Sequence, residues 1–297
     1  MLESNSSLKK RVAVITGAGS GIGKSTAIEF AKGGYSVMIN DLEAEQKLES
    51  TRREISKIIG DTQNSRVAYI LGDPAEEKIS KSLMEQTIEK FGRIDVLVNN
   101  AEIADKASAR NINEIPNTAR NSSYEQVSPY FTLEEYERSD TYVRGTYLCI
   151  REAAKQIAAL KERGKSYSFI NISSPYESIP KFEADAYTSS MSGVDPFTSS
   201  RAGIETLTKT VALQLAQRHI RVNAIVPGII TGDPKRKTGK RLNVPLDRTG
   251  KPNEVGKIAL FLASDDASYV TGSVLYADGG ISLSHSNYFL ESQIEKD

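Results

Sequence analysis

The sequence contains little cysteine, little histidine and no excess of charge of either sign. Its single cysteine, Cys149, cannot form an internal disulfide, which fits a reducing compartment. With only two histidines and one cysteine, the chain has few ligands for a His/Cys metal site, and we expect no such site. The 38 basic and 38 acidic side chains cancel, so the composition predicts no nucleic-acid partner.

Long apolar runs are also missing. No segment reaches the length that a membrane span needs, and the polar start, residues 1–10, contains no apolar signal segment. We therefore expect a cytoplasmic protein with no membrane partner. The 297 residues, 39% of them apolar, suffice for one large core, which predicts a single domain over residues 1–297.

What the sequence does contain is a regular alternation of short β-branched runs and helical patterns. The predicted strands are residues 11–16, 36–40, 66–71, 94–99, 167–172, 221–226 and 273–277. The predicted helices are residues 24–32, 43–59, 76–91, 147–160, 201–217 and 253–262. This alternation indicates an α/β fold in which a doubly wound parallel sheet is covered by helices on both faces, giving three layers.

Three segments do not fit the alternation. Residues 102–128 are polar and have no clear period, which predicts a surface insertion. Residues 175–196 form a second insertion, close to the carboxyl ends of the strands, where ligands bind in such sheets. The polar tail, residues 282–297, is expected either to fray or to dock on a neighbouring subunit.

A glycine cluster between the first predicted strand and the first predicted helix is the strongest motif. Residues 16–23 are Thr-Gly-Ala-Gly-Ser-Gly-Ile-Gly. Glycines let the backbone turn tightly and approach a pyrophosphate, and the following helix presents free N–H groups and a positive dipole end. An ordinary strand-to-helix turn would also use glycine, but the flanking elements favour a dinucleotide site of the Rossmann fold. The predicted contacts are Gly17, Ser20, Gly21, Ile22 and Gly23.

Asp41 follows the second predicted strand, 18 residues past Gly23. An acid at this point accepts hydrogen bonds from the adenosine ribose hydroxyls and repels a 2′-phosphate. No arginine directly follows Asp41, and Lys24 is expected on the helix surface, so the sequence predicts NAD rather than NADP. The alternative is that Asp41 only caps a helix or a turn.

The order of these pieces resembles that of the short-chain dehydrogenase/reductase family over residues 10–280. Asn-Asn-Ala at 99–101, Ile-Asn-Ile-Ser-Ser at 170–174, the Pro-Gly segment at 221–228 and the last strand within 269–280 carry the resemblance. The sequence is similar to the glucose 1-dehydrogenase and 3-oxoacyl-carrier-protein reductase types. The resemblance implies a substrate lid near residues 229–246. It also implies further cofactor contacts at Asp73, Asn99, Ala101, Pro227, Gly228 and Ile230.

The same resemblance implies hydride transfer between a nicotinamide cofactor and an alcohol or carbonyl carbon. In the family a tyrosine is the general acid/base, a lysine four residues later lowers its pKa, a serine orients the substrate oxygen and an asparagine supports a proton relay. A free tyrosine has a pKa of ~10, so it needs a nearby positive charge to exchange protons near neutrality. Here the serine is Ser174, and the family's spacing of 13 positions places the tyrosine at Tyr187.

The catalytic helix departs from the family pattern. The residue four positions after Tyr187 is Met191, and the pattern repeats ten residues later with Phe197 and Arg201 in the tyrosine and lysine places. Asp195 and Pro196 form a good N-cap and first helical residue, so we expect the helix to begin there. Phenylalanine cannot carry a proton, and arginine keeps the charge but does not release its proton.

Two further positions differ from the family. Glu102 replaces the glycine that follows Asn-Asn-Ala, and Tyr142 stands at the helix position of the relay asparagine. The family's catalytic set is therefore incomplete in this sequence.

Two functions remain open. The first is an NAD(P)-dependent dehydrogenase or reductase acting on a small alcohol or carbonyl compound of the sugar or 3-oxoacyl type, with Ser174, Tyr187 and Arg201 as catalytic residues. The second is a nucleotide-binding homologue without turnover, acting as a regulatory or structural subunit. We favour the enzyme, because Ser174 and Arg201 keep usable groups.

The resemblance also implies a homo-oligomer, most simply a tetramer. An apolar stripe on the catalytic helix could serve either the core or a subunit interface. Its members are Ile204, Leu207, Val211 and Leu215.

Overall fold

The computed structural model describes residues 10–42, 45–63, 65–101, 133–160, 165–174, 196–231 and 244–283; in the helices that begin at 133 and 196, side chains are described from 141 and 203. The strands within these ranges are β1 (Val12–Ile15), β2 (Ser36–Asp41), β3 (Val67–Leu71), β4 (Val96–Asn99), β5 (Tyr167–Ile172), β6 (Ile220–Pro227) and β7 (Val274–Ala277). The helices are α1 (Gly21–Lys32), α2 (Glu45–Ile59), α3 (Glu77–Phe91), α4 (Leu133–Leu160), α5 (Pro196–Leu215) and α6 (Pro252–Ala263).

The strands form one parallel sheet in the order β3-β2-β1-β4-β5-β6-β7. At its centre, Val14 of β1 pairs with Met38 of β2 on one side and with Leu97 of β4 on the other. The chain winds outward in both directions from this centre, which confirms the predicted doubly wound sheet. The switch point lies between β1 and β4, and ligands bind at the carboxyl edge of such a point.

Helices cover both faces of the sheet. On one face α1, α2 and α6 pack on a core that includes Phe30 and Leu48. On the other face α3, α4 and α5 pack on a second core that includes Met84 and Val211. Because both faces are covered, every residue of Val12–Ile15 is buried, as continuous apolar strands of parallel sheets require. The predicted three layers are confirmed.

Helix α4 is longer than the sequence predicts. It begins at Leu133, so the predicted start at residue 147 is wrong. Gly145 lies inside the helix, where glycine is unfavourable by about 1 kcal/mol relative to alanine and therefore hides the pattern. The glycine has a packing reason: a Cβ there would lie 3.3 Å from the backbone nitrogen of Ala75.

Helix α5 begins at Pro196, as the Asp195-Pro196 pair predicts. Its apolar stripe packs into the core of the chain. Ile204 and Val211 are buried, and Leu207 and Leu215 pack against the same core as partly buried residues.

Several predicted features lie outside the described residues. They are residues 102–128 and 175–195 of the two insertions, Tyr187, residues 232–243 of the lid and residues 284–297 of the tail. Within the part of the chain that is described, no helix is both long and apolar enough to cross a membrane. The same part holds no cluster of three or more His, Cys, Asp or Glu side chains suited to a metal ion.

Candidate functional site

A cavity of about 440 Å³ opens at the carboxyl ends of β1 and β4, where the topology predicts a ligand site. Glycine-loop residues, the ends of β2 and β4, and one face of α4 form its walls. Gly23, Pro227 and Gly228 are not part of its lining. The predicted residues that do line it are Gly17, Ser20, Gly21, Ile22, Asp41, Asp73, Asn99, Ala101 and Ile230.

Two glycines of the loop, Gly17 and Gly23, could not carry a side chain without movement of the backbone. Gly17 has a φ of +63°, and a Cβ there would lie 2.8 Å from the Cα of Ala101. A Cβ on Gly23 would lie 2.1 Å from the carbonyl oxygen of Gly17, which is a severe overlap. Gly23 therefore lets the first turn of α1 pack against the loop, and this packing is its role in the site.

Gly21 differs from the other loop glycines because its empty side faces open space. Its φ is +54°, and a Cβ built on it would meet no atom within 4 Å. Gly21 also lines the cavity and begins α1. The loop thus leaves room for a ligand group against bare backbone at the positive end of a helix, which suits a pyrophosphate.

Thr16 and Asn100 join the loop to the end of β4. The Thr16 hydroxyl oxygen accepts hydrogen bonds from the backbone N–H groups of Asn100 and Ala101, both at 2.9 Å. The Asn100 side chain donates to the carbonyls of Thr16 and Gly17 at 3.2 and 3.1 Å. These four bonds fix the loop at the switch point, so the cavity wall is held by the side chains that directly follow β1 and β4.

Asp41 ends β2, as predicted, and lies against the same loop. Its Oδ2 accepts a hydrogen bond from the backbone N–H of Gly19 at 2.8 Å. A Cβ on Gly19 would lie only 2.7 Å from that oxygen, so glycine is required for this approach. The carboxylate is therefore held at the outer end of the cavity, where a ribose hydroxyl could reach it. Lys24 pairs with Glu54 of α2 at 2.7 Å, as its predicted surface position implies.

Asp73 and Cys149 line the side of the cavity next to β3. One carboxylate oxygen of Asp73 accepts the N–H of Ala75 at 2.8 Å, which is a local turn bond. Burial, together with the charges of Asp73 and Glu152, raises the pKa of the Cys149 thiol to about 12. The thiol therefore stays protonated and acts as a small apolar wall residue.

The side chain of Asn99 belongs to a buried polar chain rather than to open cavity surface. Its Nδ2 donates to Oδ1 of Asn171 at 2.9 Å, and Nδ2 of Asn171 donates to the hydroxyl oxygen of Thr208 at 2.9 Å. All three side chains are buried. The chain joins β4, β5 and α5, so it couples the cavity floor to the helix that carries position 201.

The described residues do not test the catalytic prediction. Ser174 follows the end of β5 and is half-buried, but it does not line the cavity. Arg201 and Phe197 lie in α5, with side chains outside the described residues, and Tyr187 also lies outside them. The expected meeting of Ser174, Tyr187 and Arg201 therefore stays a prediction.

Tyr142, which stands at the helix position of the family's relay asparagine, lines the cavity although it was not among the predicted site residues. It lies on α4, is buried, and its hydroxyl donates a hydrogen bond to the carbonyl of Ile172. Ile172 lies two residues before Ser174, so this bond joins α4 to the end of the strand that leads to the serine.

Gly228 has a structural role beside β7. Its backbone N–H donates to the carbonyl of Ala277 at 3.1 Å, and a Cβ on it would lie 2.6 Å from the Cα of Asp278. Burial alone would raise the pKa of Asp278, but hydrogen bonds from Ser282 and from the backbone N–H of Gly280 lower it below its usual value. The ionised carboxylate thus holds the turn after β7.

Most of the remaining cavity residues were missed because they come from helices whose facing side depends on tertiary packing, whereas Thr16, Leu42, Pro74 and Asn100 lie in the loops that follow strands. A periodic pattern shows which face of a helix is apolar, but not which turn meets a cavity. The helix spacing of the α4 residues is the one signal that could have found some of them. The missed residues are Thr16, Leu42, Lys47, Pro74, Asn100, Thr141, Tyr142, Gly145, Thr146, Cys149 and Pro252.

Comparisons with known proteins agree with this architecture. A family model described as enoyl-(acyl carrier protein) reductase matches residues 17–282. The chain is 32% identical over 280 residues to a 3-oxoacyl-acyl-carrier-protein reductase of Thermotoga maritima, covering 92% of this chain and 98% of that protein. It is 30% identical over 284 residues to glucose 1-dehydrogenase 2 of Bacillus subtilis, covering 93% and 96%.

A solved structure is similar over the same length. The 3-ketoacyl-(acyl-carrier-protein) reductase of Brucella melitensis, crystallised in complex with NADH, superposes with a TM-score of 0.71 at 29% identity. The match covers 93% of this chain and all of that one.

Proposed function

The chain belongs to the short-chain dehydrogenase/reductase family of oxidoreductase enzymes, and from this premise we propose that it uses a nicotinamide dinucleotide, NAD in preference to NADP, to oxidise or reduce a small alcohol or carbonyl compound. Sugars and 3-oxoacyl compounds are the substrate types that the similar proteins' names favour. The names of the relatives give no support to the alternative of a homologue without turnover.

The open space beside the backbone of Gly21 is the observation that supports the proposal most directly. A dinucleotide needs a place where its pyrophosphate can approach bare backbone, with room for a nucleoside on each side. Gly21 offers the first, and the cavity extends from there to Asp41 on one side and to Ile230 on the other. A cavity that was closed on one side of Gly21 would have room for a mononucleotide but not for a dinucleotide.

Each part of the cavity has a separate task in this proposal. The N–H groups at the start of α1 bind the pyrophosphate, and the Asp41 carboxylate accepts hydrogen bonds from the adenosine ribose. Asp73 and the α4 residues enclose the adenine. When bound, the dinucleotide supplies or accepts a hydride, and the chain's own residues orient the substrate oxygen and move its proton.

Proton transfer is assigned to Tyr187, with Ser174 orienting the substrate oxygen and Arg201 supplying positive charge. An adjacent cation favours an ionised phenol, which makes Tyr187 a better base. Arginine cannot itself release the proton, so we expect a slow enzyme with an alkaline optimum for alcohol oxidation. The Tyr142 bond to Ile172 holds the end of β5, from which Ser174 projects.

A turnover assay tests the proposal. Aldoses, short secondary alcohols and 3-oxoacyl thioesters are screened with NAD(H) and NADP(H) by the absorbance of the reduced nicotinamide. We expect Tyr187→Phe to abolish turnover while NAD binding is retained, and we expect Tyr269→Phe to change neither, because Tyr269 is fully exposed. Unchanged turnover in Tyr187→Phe would refute the assigned role. A chain that binds NAD but turns over none of these compounds would favour the homologue without turnover.

We also propose that the protein is a homotetramer and that it is cytoplasmic. Tyr276 on the edge strand β7, Leu213 on α5 and Leu283 after β7 are exposed apolar side chains. Unpaired strand edges and exposed apolar groups are the features that subunit contacts cover. Cell fractionation tests the location.

A further inference from the structure

Thr208 is a fully buried polar residue on the side of α5 that packs on the sheet. Its neighbours on that side are apolar, and Ile204 and Val211 are buried with it. A hydroxyl group in such surroundings needs a hydrogen-bond partner. Thr208 has one in Asn171 of β5, whose Nδ2 donates to the hydroxyl oxygen at 2.9 Å. This bond joins the helix to the strand beneath it.

The bond between Asn171 and Thr208 selects one arrangement of α5 on the sheet. Apolar contacts have no direction, so they define the rotation of a helix less closely than a hydrogen bond does. If α5 slid or turned away from this bond, the buried amide group of Asn171 would lose its partner, which is unfavourable. The hydrogen bond therefore adds a directional constraint to the apolar packing.

The chain of Asn99, Asn171 and Thr208 contributes little to stability in comparison with an apolar core. The Oδ1 atom of Asn99 is buried and has no hydrogen-bond partner among the described residues. A buried polar network that is only partly satisfied is less favourable than well-packed apolar groups of the same shape. What the chain provides and an apolar core would not is a fixed direction for the helix.

The helix that Thr208 holds also carries position 201. The two positions are seven residues apart in α5. Seven residues make nearly two turns, so both positions lie on the same side of the helix, roughly 10 Å apart along its axis. Because α5 follows β5, it begins at the carboxyl edge of the sheet, and position 201 is the nearer of the two to that edge.

We propose that Thr208 is a positioning residue for the reaction. Through its bond to Asn171 it holds α5 so that Arg201 faces the reacting end of the cavity. Thr208 does not itself line the cavity, so it acts only through the helix. The inference rests on the proposed function, which assigns to Arg201 the positive charge beside Tyr187.

Loss of the Thr208 hydroxyl should affect the catalytic rate rather than binding. A displacement of about 1 Å in a positioned group can lower a rate about a hundredfold. The apolar contacts of α5 remain in the variant, so we expect kcat to fall about tenfold. The glycine loop is held separately by Thr16 and Asn100, so NAD affinity and KM should change by less than about twofold.

Steady-state kinetics with a substrate from the turnover screen, together with calorimetric titration of NAD, test the inference. Thr208→Val keeps the shape of the side chain but removes the acceptor oxygen, whereas Thr208→Ser keeps the hydroxyl. The matched control is Thr210→Val, the same change at an exposed position on the same helix. If Thr208→Val does not fold, Thr208→Ala replaces it, because the smaller side chain leaves room for a water molecule to pair with the Asn171 amide.

We expect Thr208→Val to lower kcat about tenfold at nearly unchanged KM and NAD affinity, and Thr208→Ser and Thr210→Val to resemble the parent. In an Arg201→Gln background, Thr208→Val should cause no further loss, because both changes act on the same group. Unchanged kcat, an equal loss of NAD affinity, or a full additional loss in that background would overturn the inference and leave the proposed function standing. If the parent turns over none of the screened compounds, both fail together.

Discussion

Replacing Gly21 by alanine separates two roles of a loop glycine: adopting a left-handed backbone conformation, and leaving space for a ligand against the backbone. Its φ of +54° lies in the left-handed region, where an L side chain costs about 1–2 kcal/mol. Nothing else opposes the methyl group, because no atom lies within 4 Å of the added Cβ. The methyl would occupy the space in which the pyrophosphate approaches the backbone. Loss of even one hydrogen bond to a charged group, about 1.5–3 kcal/mol, weakens binding tenfold or more.

Gly60→Ala is the matched control. Gly60 follows α2, has a φ of +65°, and a Cβ there would also meet nothing within 4 Å. Both variants are therefore expected to lose a similar 1–2 kcal/mol of unfolding free energy, about the cost of a left-handed alanine, in urea titrations. Only Gly21→Ala should weaken NAD binding in calorimetry. If Gly21→Ala binds NAD as tightly as the parent, the loop is not the pyrophosphate site.

Three further predictions follow from other parts of the structure. Asp41→Ala should narrow the difference between NAD and NADP affinity, because the charge that opposes the 2′-phosphate is lost; an unchanged ratio in titrations of both cofactors would contradict this. Light scattering at micromolar concentration should give about four times the 32.5 kDa of one chain, and a monomer mass would refute the tetramer. The side-chain hydrogen bond from Arg248 lowers the pKa of Glu254 to about 2, helped by the backbone N–H of Lys251. Because the pKa of Glu254 is lowered in the folded protein, the ion pair stabilises the fold at pH values above the ordinary pKa of 4.5, and this stabilisation is lost as the pH falls toward 2. Arg248→Gln should therefore lower the free energy of unfolding by at most about 1 kcal/mol at pH 7. A loss of thermal stability in this variant that stays the same in acid would contradict the role of the pair.

The sheet and the glycine-loop end of the cavity were predictable because they depend on local patterns. Buried parallel strands are short continuous apolar runs, and a glycine loop followed by a helix has a fixed spacing. Asp41 was found in the same way, since it ends the strand that the pattern defines. In the strands, the glycine loop and Asp41, the position of a residue in the fold follows from its neighbours in the sequence.

The walls formed by α4 and α2 were not predictable because long-range packing decides them. Gly145 discourages a helix by its own propensity, and only the approach of the Ala75 backbone explains it. Lys47 belongs to an ordinary charged helix until the hydrogen bond from the Thr51 hydroxyl to the carbonyl of Gly19 shows which side meets the loop. The chain of Asn99, Asn171 and Thr208 joins residues that are 72 and 37 positions apart, and no spacing rule connects them.

A crystal structure of the protein with NAD bound is the most direct test of the central claim. It should show the adenosine ribose on Asp41, the pyrophosphate against Gly21 and the nicotinamide near Ile230, with the Tyr187 hydroxyl within hydrogen-bond reach of Ser174 and close to Arg201. Phe197 over the nicotinamide ring with Tyr187 in solvent would contradict the catalytic assignment, and a dinucleotide bound elsewhere on the molecule would contradict the whole account.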